Sequence, residues 1–138
     1  MRRQLSLLAC IVCTLLLVAC SVSSNDDDRS KLQDSWSLIW WRSSHTLPDE
    51  PITMRILNNR IDGKTPCGSY TGTLETNVST LTIVSAGRLT LDSCPEELQA
   101  IEATFLNLLL KSKHWHVAND LLVFSSFEGE LLHFAKIE

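Results

Sequence analysis

At 138 residues, with 12 Lys and Arg against 16 Asp and Glu, the chain is long enough for one domain with a modest core. Its basic residues are scattered singly along the sequence, which argues against a nucleic-acid partner. The apolar fraction of 44 % is inflated by the first two dozen residues, and the remainder of the chain has the composition of an ordinary domain.

Those first residues have the layout of a targeting segment. Arg2 and Arg3 form a positive start, and an uncharged apolar run from Leu5 to Ala19 comes next. The run is shorter than the roughly 20 apolar residues that span a bilayer, and Asn25, Asp26, Asp27 and Asp28 soon replace it. Leu17, Val18, Ala19 and Cys20 resemble the lipobox of bacterial lipoproteins. That resemblance implies cleavage before Cys20, a diacylglyceryl thioether on its sulfur and acylation of the new amine. Two or three acyl chains hold a protein stably where one holds it marginally. Ser21, rather than Asp, stands after the cysteine, and among such lipoproteins this implies sorting to the outer membrane. The competing reading is an ordinary secretory signal with a cysteine beside its cleavage site.

The chain thus divides into a signal peptide over 1–19, a lipid-anchored flexible tether over 20–34 and a domain over 35–138. Losing the signal removes Arg2 and Arg3, leaving 10 basic against 16 acidic residues, a formal charge near −6. It also removes Cys10 and Cys13, so with Cys20 acylated only Cys67 and Cys94 remain. In an oxidising compartment two cysteines most simply pair. A reactive or metal-binding pair is the alternative, and no neighbouring ligands at suitable spacing support it. Closing the 27-residue separation is worth about 3 to 4 kcal/mol in the chain-entropy description.

The tether, rich in Ser, Asn and Asp through Gln33, has too little apolar surface to order itself. Ser35 to Trp41 then reads as a first strand, with Trp36, Leu38 and Trp40 on one side and Trp41 on the other, exposed as a possible partner contact. A Trp41 that merely covers the sheet edge near Arg42 is the other option. The two prolines between His45 and Pro51 mark a loop. Ile52, Met54 and Ile56 alternate with polar neighbours, and Asn58 and Asn59 suit a hairpin turn into Arg60, Ile61 and Asp62. The glycine-punctuated stretch GKTPCGSYTGTLE reads as one bent or bulged strand, and Gly87 breaks the later run of Leu81, Ile83, Leu89 and Leu91.

Ser93, Pro95 and Glu96 have the layout of a capping box opening a helix. Leu98, Ile101, Phe105, Leu108 and Leu109 share one face of that helix, and Lys111 and Lys113 close it. Trp115 to Ile137 supply two or three closing strands. The expected fold is α+β, a curved antiparallel sheet or small open barrel with one helix packed on it.

The order of these pieces resembles the META domain of HslJ-type lipoproteins. SWSLIW, DGKTPCGSYTG, TLDSCPEELQAIEATFLNLL and LLVFSSFEGELLHF carry the resemblance, which covers about Trp36 to Ile137. Gly68 stands where the family commonly has asparagine after the first cysteine. The resemblance implies an exported α+β domain without a reaction common to the family, associated with stress and antibiotic tolerance at the outer membrane.

Chemistry-bearing residues are sparse. In GSYTG the serine is one place early for a nucleophile elbow. His114 and His116 flank Trp115 and would need a third ligand to hold a metal; a solvated strand face with the tryptophan inward is the simpler arrangement. The run Asp26 to Asp28 reads as a charged tether rather than a cation site, and Asn77, Val78 and Ser79 as a loop rather than a glycosylation site. No acid–base or nucleophile constellation can be assembled, so a non-enzymatic binding role is expected, with no cofactor. The expected partners are the membrane, through the acyl chains, and an envelope protein. The alternative is a pilotin-like lipoprotein, clasping a secretin helix in a groove between sheet and helix.

Overall fold

Alternation of apolar and polar residues builds a ring of strands in the computed structural model, which describes residues 25–90 and 93–138. The expected signal peptide and the acylated Cys20 lie outside the described residues. Helix α1 spans Asn25–Leu32, and strands β1 (Ser35–Trp41), β2 (Thr53–Leu57), β3 (Arg60–Thr65), β4 (Gly68–Asn77) and β5 (Thr80–Thr90) come after it. Helix α2 (Glu96–Lys111) then leads to β6 (His114–Ala118), β7 (Leu121–Ser126) and β8 (Gly129–Lys136). All neighbours are antiparallel, in the order β1 to β8, and β8 pairs back onto β1. The expected fold is therefore present, mostly β, with the described helices numbering two rather than one. The ring is irregular because β5 and β6 pair only at Thr80 and His114.

Asn58, at φ 56°, makes the turn between β2 and β3, as its short amide side chain allows. The stretch expected as one bent strand is instead the hairpin β3–β4, with Thr65 facing Gly68 across a turn at Pro66 and Cys67. The turn chemistry of Pro66, two residues before Gly68, explains this better than a bulge does. A register shift does occur further along, between Thr73 and Leu74. β5 runs straight through Gly87, where an added Cβ would meet nothing within 4 Å. At Gly63 the case is different, since a Cβ would fall 1.9 Å from the Thr53 carbonyl oxygen and 2.8 Å from the Tyr70 ring. Strands β2 to β4 can curve this tightly only over a bare backbone.

The interior is filled by side chains. Trp36, Tyr70, Phe105, Phe124 and Phe134 are each at most 2 % exposed, and edge-to-face contacts link Tyr70 to Phe105 at 5.2 Å and Phe124 to Phe134 at 5.7 Å. Phe105 comes from α2, whose apolar stripe plugs the ring as its spacing predicts. The start of that helix differs from expectation. Its N-cap is Pro95, without a side-chain capping bond, and Ser93 lies in the turn before it. Gln99 Nε2 instead donates to the Cys94 carbonyl at 2.8 Å. Asn25–Leu32 also departs from the expected flexible tether, because Leu32 is 1 % exposed and its carbonyl accepts from Trp36 Nε1. A buried leucine and the tryptophan bond thus take part in docking a short polar helix.

Within the stripe of α2, Glu102 is completely buried. Thr65 Oγ1 donates to Glu102 Oε1 at 2.5 Å, and Arg88 Nη1 donates to Oε2 at 3.3 Å. These bonds join α2 to β3 and β5, and removing the carboxylate strands a buried hydroxyl and loosens an arginine. Glu102→Ala should cost about 2 kcal/mol, read as a lower urea midpoint at unchanged slope.

Lys136 Nζ lies 2.6 Å from Asp34 Oδ2 at the exposed end of β8. The hydrogen bond from Lys136, helped by the Ser35 N–H, holds the Asp34 carboxyl below its ordinary value of 3.8. The same hydrogen bond, with the attraction of Asp34, holds the Lys136 ammonium above 10.5. The pair's stabilisation is therefore present above the unfolded carboxyl pKa and lost as pH falls through the depressed one; at the alkaline end it is lost as pH rises through the raised ammonium pKa. Asp34→Asn should lower the urea midpoint slightly at neutral pH, with the gap to the parent closing as pH drops below 3.8.

Candidate functional site

The sequence-predicted site residues fall at different places in the ring. Cys67, 1 % exposed in the β3–β4 turn, and Cys94, half-buried just before α2, have Cα atoms 5.4 Å apart with their sulfurs at disulfide distance. This staple ties the turn to the start of the helix, on the side where Thr65 also reaches Glu102.

Trp41 is not an exposed contact. It is 5 % exposed and its Nε1 donates to the His45 carbonyl at 2.8 Å. The register of β1 on β8 shifts between Leu38 and Trp40, and that one extra residue reverses the alternation. Trp40 consequently points outward at 42 % exposure, with its ring 4.5 Å from that of His133, whose Nε2 lies 2.8 Å from Glu130 Oε2. Strict period-2 reading selects the wrong tryptophan.

His114 and His116 do flank an inward Trp115, which is 5 % exposed with an unpartnered indole N–H. His116 is exposed and His114 packs against Phe127 at 5.2 Å. Among the described residues no three His, Cys, Asp or Glu side chains gather as a metal site. The space between sheet and helix, where the pilotin-like alternative would place its groove, is taken up by Phe105 and Leu109, each fully buried.

A groove of about 1160 Å³ lies instead on the outer faces of β2, β3 and β4. Alternation sets its chemistry. Ile61 and Thr65 turn inward, so Arg60, Asp62 and Lys64 turn outward; Arg55 and Leu57 do the same on β2, and Ser69 and Thr71 line the far side. Arg55 and Asp62 sit opposite each other in register, with Nη2 and Oδ2 3.2 Å apart, and Arg60 Nε is 3.8 Å from Asp62 Oδ1. Beneath the groove the Tyr70 hydroxyl donates to the Thr53 carbonyl at 2.8 Å. Burial, with the Asp62 carboxylate adding to it, pushes the Tyr70 phenol well above its usual ionisation range, so it stays a neutral donor. The sequence signal for this groove is weak, since its three cations come singly from two strands and only the hairpin register assembles them.

Residues 30–138 match the model of the META domain. The chain belongs to the META domain family. The match spans the folded part, from the end of α1 through the last strand. An NMR structure of a protein from Burkholderia xenovorans is similar at a TM-score of 0.63 and 21 % identity, covering 78 % of this chain and 86 % of that one. A crystal structure of a DUF4847 family protein from Bacteroides vulgatus is similar at 0.58 and 10 % identity, covering 80 % and 98 %. Identities this low speak to the fold alone. No curated protein matches the chain.

The reversed alternation at β1 separates the two adjacent tryptophans by role. Trp41→Ala should cost about 3 to 5 kcal/mol, whereas Trp40→Ala should change stability by about 1 kcal/mol or less, both measured by chemical denaturation.

Proposed function

We propose that this META-family chain is a lipid-anchored envelope protein, held at the outer membrane and facing the periplasm, that binds a partner rather than catalysing a reaction. Its service is envelope maintenance under stress or antibiotic challenge, the setting associated with HslJ-type members. The observation that carries the reading is Leu17 to Cys20, which ends an apolar, charge-free run five residues before the first described helix. An anchor so placed leaves the META domain outside the bilayer and close to it.

Two features of the fold support the reading. The pair Cys67 and Cys94, at disulfide distance, suits an exported protein, because such bonds persist in oxidising compartments. The ring interior is occupied by aromatic side chains, among them Trp36, Tyr70, Phe105, Phe124 and Phe134, so a ligand meets this domain on its outer surface. Open strand faces carrying arginine, lysine and hydroxyl groups favour binding over chemistry that excludes water.

Cys20→Ser, expressed in a bacterium with two membranes, should move the protein from the membrane fraction to the soluble periplasmic fraction. The intact mass of the parent should include acyl groups and rise by two hydrogens on reduction. A Cys20→Ser protein that remains in the membrane fraction would overturn the anchor, and a mass unmoved by reductant would remove the staple.

A further inference from the structure

The outer groove over β2 to β4 is positioned by the element next to the anchor. Arg29 on α1 donates from Nη2 to Asn59 Oδ1 at 2.9 Å, and Gln33 Oε1 accepts from the Asn58 N–H at 3.2 Å. The β2–β3 turn, which is one end of the groove, is thus fastened to the helix that comes after the expected lipid attachment. Five Cα steps separate Cys20 from Asn25, at most about 18 Å, and four helical rises to Arg29 add about 6 Å. The groove is therefore within reach of a membrane that holds Cys20.

Its chemistry matches that location. Arg55, Arg60 and Lys64 outnumber Asp62 in the lining, in a mature chain whose overall charge is near −6. Leu57, 55 % exposed on the last position of β2, and Ile137, 39 % exposed, flank these cations with apolar surface. Cations beside an exposed leucine fit a phosphate headgroup above the first methylenes of its acyl chains. Asp26, Asp27 and Asp28 stand between anchor and groove, so the attraction has to come from the local cluster and not from net charge.

We propose that this groove is a membrane-facing site for the phosphate of an anionic lipid, with Arg55, Arg60 and Lys64 as its cationic contacts and Leu57 entering the headgroup layer. It rests on the reading of Cys20 as the anchor, which brings the groove to the surface. The site gives the tethered domain a fixed orientation, with the β2–β3 turn down and the Trp40 face of β1 and β8 directed elsewhere.

The test uses the full mature chain with Cys20→Ser, so that acylation plays no part and its failure stays distinct from that of the anchor. The protein is sedimented with vesicles of phosphatidylcholine, alone or with phosphatidylglycerol, at low salt. It should associate with the anionic vesicles and not with the neutral ones. The triple variant Arg55→Gln, Arg60→Gln, Lys64→Gln should weaken that association at least about tenfold, given roughly fivefold per charge near an anionic surface and partial neutralisation by Asp62. Leu57→Asp should weaken it as well, and thermal melts of both variants should match the parent because these side chains lie outside the core. Inorganic phosphate at matched ionic strength should leave the association unchanged. Equal sedimentation with both vesicles, binding indifferent to the variants, or displacement by millimolar inorganic phosphate would each overturn the lipid assignment.

Discussion

The β5–β6 junction is the shortest ladder of this ring: Thr80 faces His114, and the bonds from Leu81 N–H to the Lys113 carbonyl and from Trp115 N–H to the Ser79 carbonyl close it. Helix α2 connects those strands. Phe105 enters the interior and meets Tyr70 and Phe134, while Glu102 ties the helix to Thr65 on β3 and Arg88 on β5. A fully buried carboxylate is costly unless nearly every lone pair is engaged, so its hydroxyl and guanidinium partners fix both the depth and the rotation of the helix. The sulfur pair at Cys67 and Cys94 limits how far the helix start can drift from the β3–β4 turn. Burial, one charged pair and one pair of sulfurs at disulfide distance therefore converge on the same element.

Curvature is the second requirement, and the sheet meets it with bare backbone and register shifts. Gly63 lets β3 pass under the Thr53 carbonyl, and Gly72 has the same relation to Ser85, where a Cβ would fall 2.2 Å from the carbonyl oxygen. Register shifts in β1 against β8, in β4 against β5 and in β7 against β8 bend the ladder elsewhere. Each shift changes which side chains face out. The outward-facing set of side chains is thus partly a by-product of closing the ring, as the exchange of Trp40 for Trp41 on β1 shows.

That exchange also marks how far the sequence can be read. The helix stripe from Leu98 to Leu109, the asparagine turn at Asn58, the strand at Ile52 to Ile56 and the pairing of Cys67 with Cys94 were all legible, because each depends on local period, local turn chemistry or a count of two. Glu102 was legible in principle: it sits four residues after Leu98 and three before Phe105, a charge inside an apolar stripe that asks for a buried partner. The bulge in β1 left no local mark, since Ser-Trp-Ser-Leu-Ile-Trp-Trp suits either alternation and pairing with β8 decides between them. Leu32 was likewise hidden in a polar segment, where a single apolar residue becomes structural through tertiary contacts, among them the Trp36 indole N–H to its carbonyl.

The candidate groove depends on pairing between strands to an even greater degree. Arg55, Arg60 and Lys64 carry no motif, and they become neighbours because the turn at Asn58 and Asn59 sets Arg55 opposite Asp62 and leaves Arg60 and Lys64 on the same outer face. Asn59 and the Asn58 N–H then bond to Arg29 and Gln33, so the turn that creates the groove also orients it toward the N-terminal side. With the interior already full of aromatic side chains, the outer faces of the strands are the surface left open. The two asparagines couple that outer face to Arg29 on α1 and to Gln33, which makes the β2–β3 turn the point where the N-terminal segment and the architecture of the ring become one constraint.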